Sequence, residues 1–235
     1  RIGLWYTHGT VSATLRLAEK FTHKIFTAST ESCQMQSEKI IVTGHGIDTD
    51  HFAPDQSVAK IHDLITVGRI TPSKNLIQLV DILGDVRTQH DVSLTIVGVP
   101  VTAAESEYKT KLEKHIAQQQ LTDYVHFIGR VNQTDLPTVL NQSKVFVTVA
   151  QNGSLDKVVL EAMACGLPIV SMAPGTASLG LGKQQVYSVN DFVITINHVF
   201  GLNQLYSQAN IGCVKSEHGV VSLIPRVLKG VYVLI

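Results

Sequence analysis

The chain has 235 residues, 44% hydrophobic and 16% charged, enough for one large globular domain or two small ones. Its 19 basic and 19 acidic side chains cancel, which argues against nucleic acid as the main partner. No apolar run reaches the roughly 20 residues that cross a bilayer, and Cys33, Cys165 and Cys213 fit reduced core thiols of a cytosolic protein, not a disulfide frame or zinc site.

In chain order, Val11 to Phe21 has a helical pattern and Lys24 to Ala28 reads as a short strand. Ser29 is placed to cap a short helix through about Met35, and Lys39 to Val42 is a further strand. The turn-rich stretch Gly44 to Pro54 separates this part from a second series. Strands are predicted there near Leu64–Val67, Val92–Val97, Val125–Ile128, Val145–Val149 and Ile169–Met172. The helices between them fall near Leu76–Arg87, Ala103–Gln119, Leu136–Asn141 and Leu155–Ala164. Apolar runs alternating with helical patterns imply a parallel, doubly wound α/β sheet. Near the end, Val220, Leu223, Ile224 and Val227 have helical spacing.

Ligands of such sheets bind outside the carboxyl ends of the strands, and the chemically suggestive residues all fall there. Val67 to Asn75 reads V-G-R-I-T-P-S-K-N, with Arg69 and Lys74 on either side of a Thr-Pro-Ser turn. Two cations beside a helix N-terminus suit a diphosphate, although a solvated basic turn explains the segment equally well in isolation. Asn152 to Ser171 reads N-G-S-L-D-K-V-V-L-E-A-M-A-C-G-L-P-I-V-S. It places Glu161 inside a mostly apolar helix that Gly166 and Pro168 stop. Two glycine patterns fail. Gly44-His45-Gly46 has Thr49 where a dinucleotide fingerprint needs its third glycine, and Gly182-Lys183 has Ala177 and Gln184 where a phosphate loop needs Gly and Ser/Thr.

Taken together, V-G-R-x4-K-N and L-E-A-M-A-C-G-L-P-I-V closely resemble the retaining glycosyltransferases of the GT-B fold, family 4, and the shared segments span most of Ile40 to Met172. The resemblance implies sugar transfer from a nucleotide-diphosphate sugar to an acceptor hydroxyl, with retention. It makes Arg69 and Lys74 diphosphate contacts, Glu161 the ribose acceptor, and the backbone of Gly129, Arg130 and Val131 a contact to the base. Gly153, Ser154 and Leu155 join the donor-binding set, and His8, in Trp5-Tyr6-Thr7-His8-Gly9, faces the donor sugar across the cleft. A lone loop histidine is by itself a surface residue; His45 and His51 are explained by packing or solvent. His8, Arg69 and Lys74 carry the catalytic assignment. No cofactor or metal is expected, since cations and helix termini neutralise the leaving group. A glycan, lipid or small molecule is the acceptor, and the location is cytoplasmic, compatible with peripheral contact on the inner membrane face.

The same resemblance organises the chain as residues 1–52 from the end of an N-terminal, Rossmann-like acceptor domain, 53–200 as the Rossmann-like nucleotide-sugar domain, and 201–235 as a helical segment returning to the first domain. The chain opens at Arg1 without an initiator methionine, so a missing N-terminal part is expected. One departure stands inside the most informative motif. The family pattern has two glutamates eight positions apart; Glu161 matches the second and Gly153 replaces the first. Asp156 either caps the helix or supplies the missing carboxylate. Gly153 and the truncated start keep open a catalytically lapsed relative that binds nucleotide or protein; a second rival is a GT-B nucleotide-sugar epimerase, whose site would need further acid/base residues from the missing first domain.

Overall fold

The computed structural model describes residues 2–151, 153, 155–201 and 203–232, with side chains at all of these except 201, 203–206 and 229–232. Three short parallel strands open the chain: β1 (Gly3–Trp5), β2 (Lys24–Thr27) and β3 (Ile40–Val42), paired in that order. Helix α1 (Ala13–Phe21) crosses from β1 to β2, its first turn capped by the Ser12 hydroxyl accepting from the Leu15 N–H.

The second sheet has five parallel strands in the order β6-β5-β4-β7-β8: β4 (His62–Val67), β5 (Leu94–Val97), β6 (Val125–Gly129), β7 (Ser143–Thr148) and β8 (Ile169–Ser171). Between them run α2 (Leu76–Arg87), α3 (Ala103–Gln118), α4 (Leu136–Asn141) and α5 (Lys157–Ala164). Side chains alternate faces at a period of two. Leu64, Val145, Val147 and Val170 pack under α2 and α3, whereas Ile65, Phe146 and Ile169 pack under α4 and α5. A sheet buried on both faces needs near-continuous apolar strands, which is why these segments are so legible.

Among the described residues, three α-helices follow β8: α6 (Val189–Gly201), α7 (Asn203–Cys213) and α8 (Val220–Tyr232). The last returns to the crossing between the sheets. The Ile47 N–H donates to the His218 carbonyl at 2.7 Å, the Val220 N–H donates to the Ile47 carbonyl at 2.9 Å, and Arg226 reaches the Thr43 carbonyl. Among the described residues, no helix is long and apolar enough to cross a membrane.

Two local expectations are corrected. No helix follows Ser29: its hydroxyl and carbonyl both take the Ser32 N–H in a tight turn, the local bonding by which serine competes with helix. Beyond that turn, Cys33 and Met35 bury against α1 and β2. Helix α5 begins two residues later than expected, at Lys157, because Leu155 stays outside it with its carbonyl 3.1 Å from His45 Nε2.

Candidate functional site

Strand order reverses on either side of β4, so the crevice between the ends of β4 and β7 is where such a sheet takes ligands. Both motif loops open into it. After β4 come Gly68, Arg69 and a single 3-10 turn, Pro72–Lys74; after β7 come Val149 to Asp156. The loops are tied together by the Gln151 N–H donating to the Ser73 carbonyl at 2.9 Å and by an ion pair, Lys74 Nζ to Asp156 Oδ2, at 2.6 Å.

Glycine makes this packing possible. A Cβ on Gly68 would lie 2.8 Å from Lys74 Cε, so the bare backbone lets the lysine stem fold over the strand end. A Cβ on Gly98, at the end of β5, would lie 1.9 Å from the Gly68 carbonyl oxygen. The cation therefore rests on two strand ends pressed together without side chains.

Each anticipated residue has a definite neighbour. Arg69 is largely exposed, 3.6 Å from Glu105, whose carboxylate also takes the Val101 and Thr102 N–H groups. Those bonds, the Val101 N–H first, hold Glu105 below the usual carboxylate range against the opposing effect of burial. Glu161 is buried at 3% exposure and is not solitary: Gln133 Nε2 donates to it at 2.6 Å and Lys157 pairs with it at 3.0 Å. Gln133 sits on the loop that follows Gly129 at the end of β6 and carries Arg130 and Val131, so this hydrogen bond draws the β6 loop toward α5. Arg130 is exposed, and Val131 packs partly into the core beneath α5.

Leu155 is buried, and Ser154 lies outside the described residues. Gly153 faces the first sheet's side of the cleft: a Cβ there would be 3.6 Å from Gln34 Nε2. His8 is exposed on the loop after β1, its Nδ1 accepting from the Thr10 N–H at 3.3 Å. Asp156 stands at the start of α5 but makes no side-chain capping bond, and Lys74 takes its carboxylate instead. Sequence reasoning missed Gln133, Glu105 and the Lys74–Asp156 pair, because each joins segments far apart in the chain. Among the described residues, no group of three or more His, Cys, Asp or Glu side chains could hold a metal ion.

The two sheets and the crevice at β4 and β7 define an α/β protein of the GT-B fold. The chain belongs to the glycosyl transferases group 1 family, whose model matches residues 49–182. It is 29% identical over 151 residues to a D-inositol 3-phosphate glycosyltransferase of Geodermatophilus obscurus, an alignment covering 58% of this chain and 33% of that protein. It is 25% identical over 177 residues to an MMP alpha-(1->4)-mannosyltransferase of Mycolicibacterium hassiacum, covering 73% and 41%. The chain thus spans between a third and about two-fifths of the length of these curated relatives. The crystal structure of Anabaena HepE in complex with UDP and glucose superposes with a TM-score of 0.83 at 19% identity, covering 98% of this chain and 71% of that one, a likeness of fold.

Proposed function

We propose that this chain is the donor-binding portion of a retaining glycosyltransferase that moves a sugar from a nucleoside-diphosphate sugar to an acceptor hydroxyl. The observation that supports this reading is the joining of the β4 and β7 loops by Lys74–Asp156 and Gln151–Ser73, with Arg69 largely exposed five residues from Lys74 on the same β4 loop. A diphosphate there would meet a lysine and an arginine, and Glu161, held by Gln133, would accept from the ribose hydroxyls. The backbone at Gly129, Arg130 and Val131 would border the base. The relatives' names and the UDP of the HepE complex support the same donor class.

The chemistry asked of these residues is electrostatic and positional. As the anomeric carbon–oxygen bond breaks, negative charge grows on the departing diphosphate, and two cations beside it lower that barrier without a metal. The acceptor hydroxyl attacks from the same face and its proton passes to the leaving phosphate, which retains configuration. His8, across the cleft, would contact the donor sugar. Lys74 is paired with Asp156, so the phosphate would compete with Asp156 for the ammonium.

Calorimetry tests the assignment. Arg69→Ala with Lys74→Ala weakens UDP or GDP binding by about a hundredfold or more, from charge-assisted contacts of about 1.5–3 kcal/mol each. Uridine and guanosine are affected far less. Equal losses for nucleoside and diphosphate would remove the phosphate assignment. Asp156→Asn removes the competing charge and so tightens diphosphate binding severalfold; weaker binding would show that Asp156 orients Lys74 for the ligand.

A further inference from the structure

Glu31 lies half-buried on the loop between β2 and β3. Its Oε2 is buried and has no hydrogen-bond partner. Unmet buried acceptors are rare, and each calls for a physical account, among them a donor brought by a ligand. The loop bends into the cleft from the first sheet. The Glu31 carbonyl sits 3.4 Å from where a Cβ on Gly9 would be, beside His8, and Gln34 of the same loop approaches Gly153 to 3.6 Å by the same measure. On the far side, Ser178 lies after β8 in the 3-10 segment Pro174–Leu179, and its hydroxyl is one of the groups that favour the charged form of Glu31. The acid thus sits on a loop of the first sheet whose Gln34 meets Gly153 of the β7 loop.

We propose that Glu31 is a specificity residue that accepts hydrogen bonds from hydroxyl groups of the donor's sugar, with Oε2 as the atom the sugar satisfies. The inference rests on the donor reading above and adds the residue that reads the sugar. The chemistry fits. A carboxylate only accepts, a sugar ring presents several O–H donors, and a neutral hydroxyl brings no charge to disturb the phosphate site. Burial by itself raises the pKa of this carboxyl. The Glu31 backbone N–H and the hydroxyls of Ser29, Thr30 and Ser178 outweigh it and leave the pKa lowered, so the group stays an anionic acceptor at neutral pH.

The test compares each nucleotide-sugar with its own nucleotide on the full chain by calorimetry: UDP-glucose and UDP-N-acetylglucosamine against UDP, and GDP-mannose against GDP. Glu31→Gln keeps the shape and exchanges an acceptor for an amide; Glu31→Asp keeps the charge and shortens the reach. In the parent at least one nucleotide-sugar binds more tightly than its nucleotide. Both variants melt with the parent, bind the bare nucleotide within about twofold, and lose about tenfold in affinity for that nucleotide-sugar. An equal loss for nucleotide and nucleotide-sugar overturns the proposal and makes Glu31 a brace for the Ser178 segment. It is overturned equally by an unchanged nucleotide-sugar affinity, or by a parent in which the sugar adds nothing. In these three cases nucleotide still binds and the donor-site reading stands. If the parent binds no nucleotide, that reading fails and this inference fails with it.

Discussion

Replacing Gly98 with alanine lowers the stability of the chain by about 4 kcal/mol or more, from a backbone region that L residues avoid and a clash that cannot relax. Gly98 has φ of 138°, and its added Cβ would lie 1.9 Å from the Gly68 carbonyl oxygen, a backbone atom held in the sheet. The Gly98 N–H also donates to the Gly129 carbonyl at 2.7 Å, so moving the strand end breaks a neighbouring bond. Since domains hold only about 5–15 kcal/mol in all, such a variant yields little folded protein. Two further glycines calibrate the measurement. Gly129→Ala keeps the penalty of a φ of 73° but meets open space, and costs about 1–2 kcal/mol. Gly153→Ala meets Gln34 Nε2 at 3.6 Å, an ordinary van der Waals contact, and stays within about 0.5 kcal/mol. Urea unfolding of the three variants checks the order; a mild Gly98→Ala would mean that the ends of β4 and β5 are not pressed together.

The strands of the second sheet were readable because each is a short apolar run bounded by turn residues, and burial on both faces demands such runs. Helices α2 and α4 were readable to their ends. Where local bonding competes with periodicity the reading failed, as at Ser29, whose hydroxyl satisfies a neighbouring N–H without any helix. The site divides in the same way. Arg69, Lys74 and Glu161 stand out because they are chemically unusual in their own segments. Their partners do not. Asp156 is 82 residues from Lys74 and Gln133 is 28 residues from Glu161, and only the folding of the sheet brings them together. Asp156 shows the consequence most clearly. From sequence it stands where a cap belongs, and in three dimensions a lysine from the β4 loop takes the carboxylate.

Lowering the pH from about 7.5 to about 5 destabilises the chain by about 2 kcal/mol through His218 alone. This histidine is only 7% exposed, and its Nδ1 has no hydrogen-bond partner. Burial, then the charges of His45 and Arg226, push its pKa from 6.5 down to about 4. The sign follows from that direction. Above 6.5 the ring is neutral whether the chain is folded or not, and the full stability is present. As the pH falls through 6.5 the unfolded chain takes a proton that the folded chain refuses, and stability is lost until the folded ring also titrates near 4. The whole gap converts to about 3 kcal/mol. For a chain of this size the loss by pH 5 lowers Tm by about 4–8 °C. His45 shifts in the same direction, chiefly by burial, and its ring touches the Leu155 carbonyl, so acid acts on both sides of the crossing between the sheets. His218→Phe keeps a ring of similar shape without the titration. Its Tm therefore falls less than the parent's over the same range, by the share that His218 contributes. Parallel Tm curves for parent and variant would mean that the ring is as free to take a proton in the folded chain as in the unfolded one.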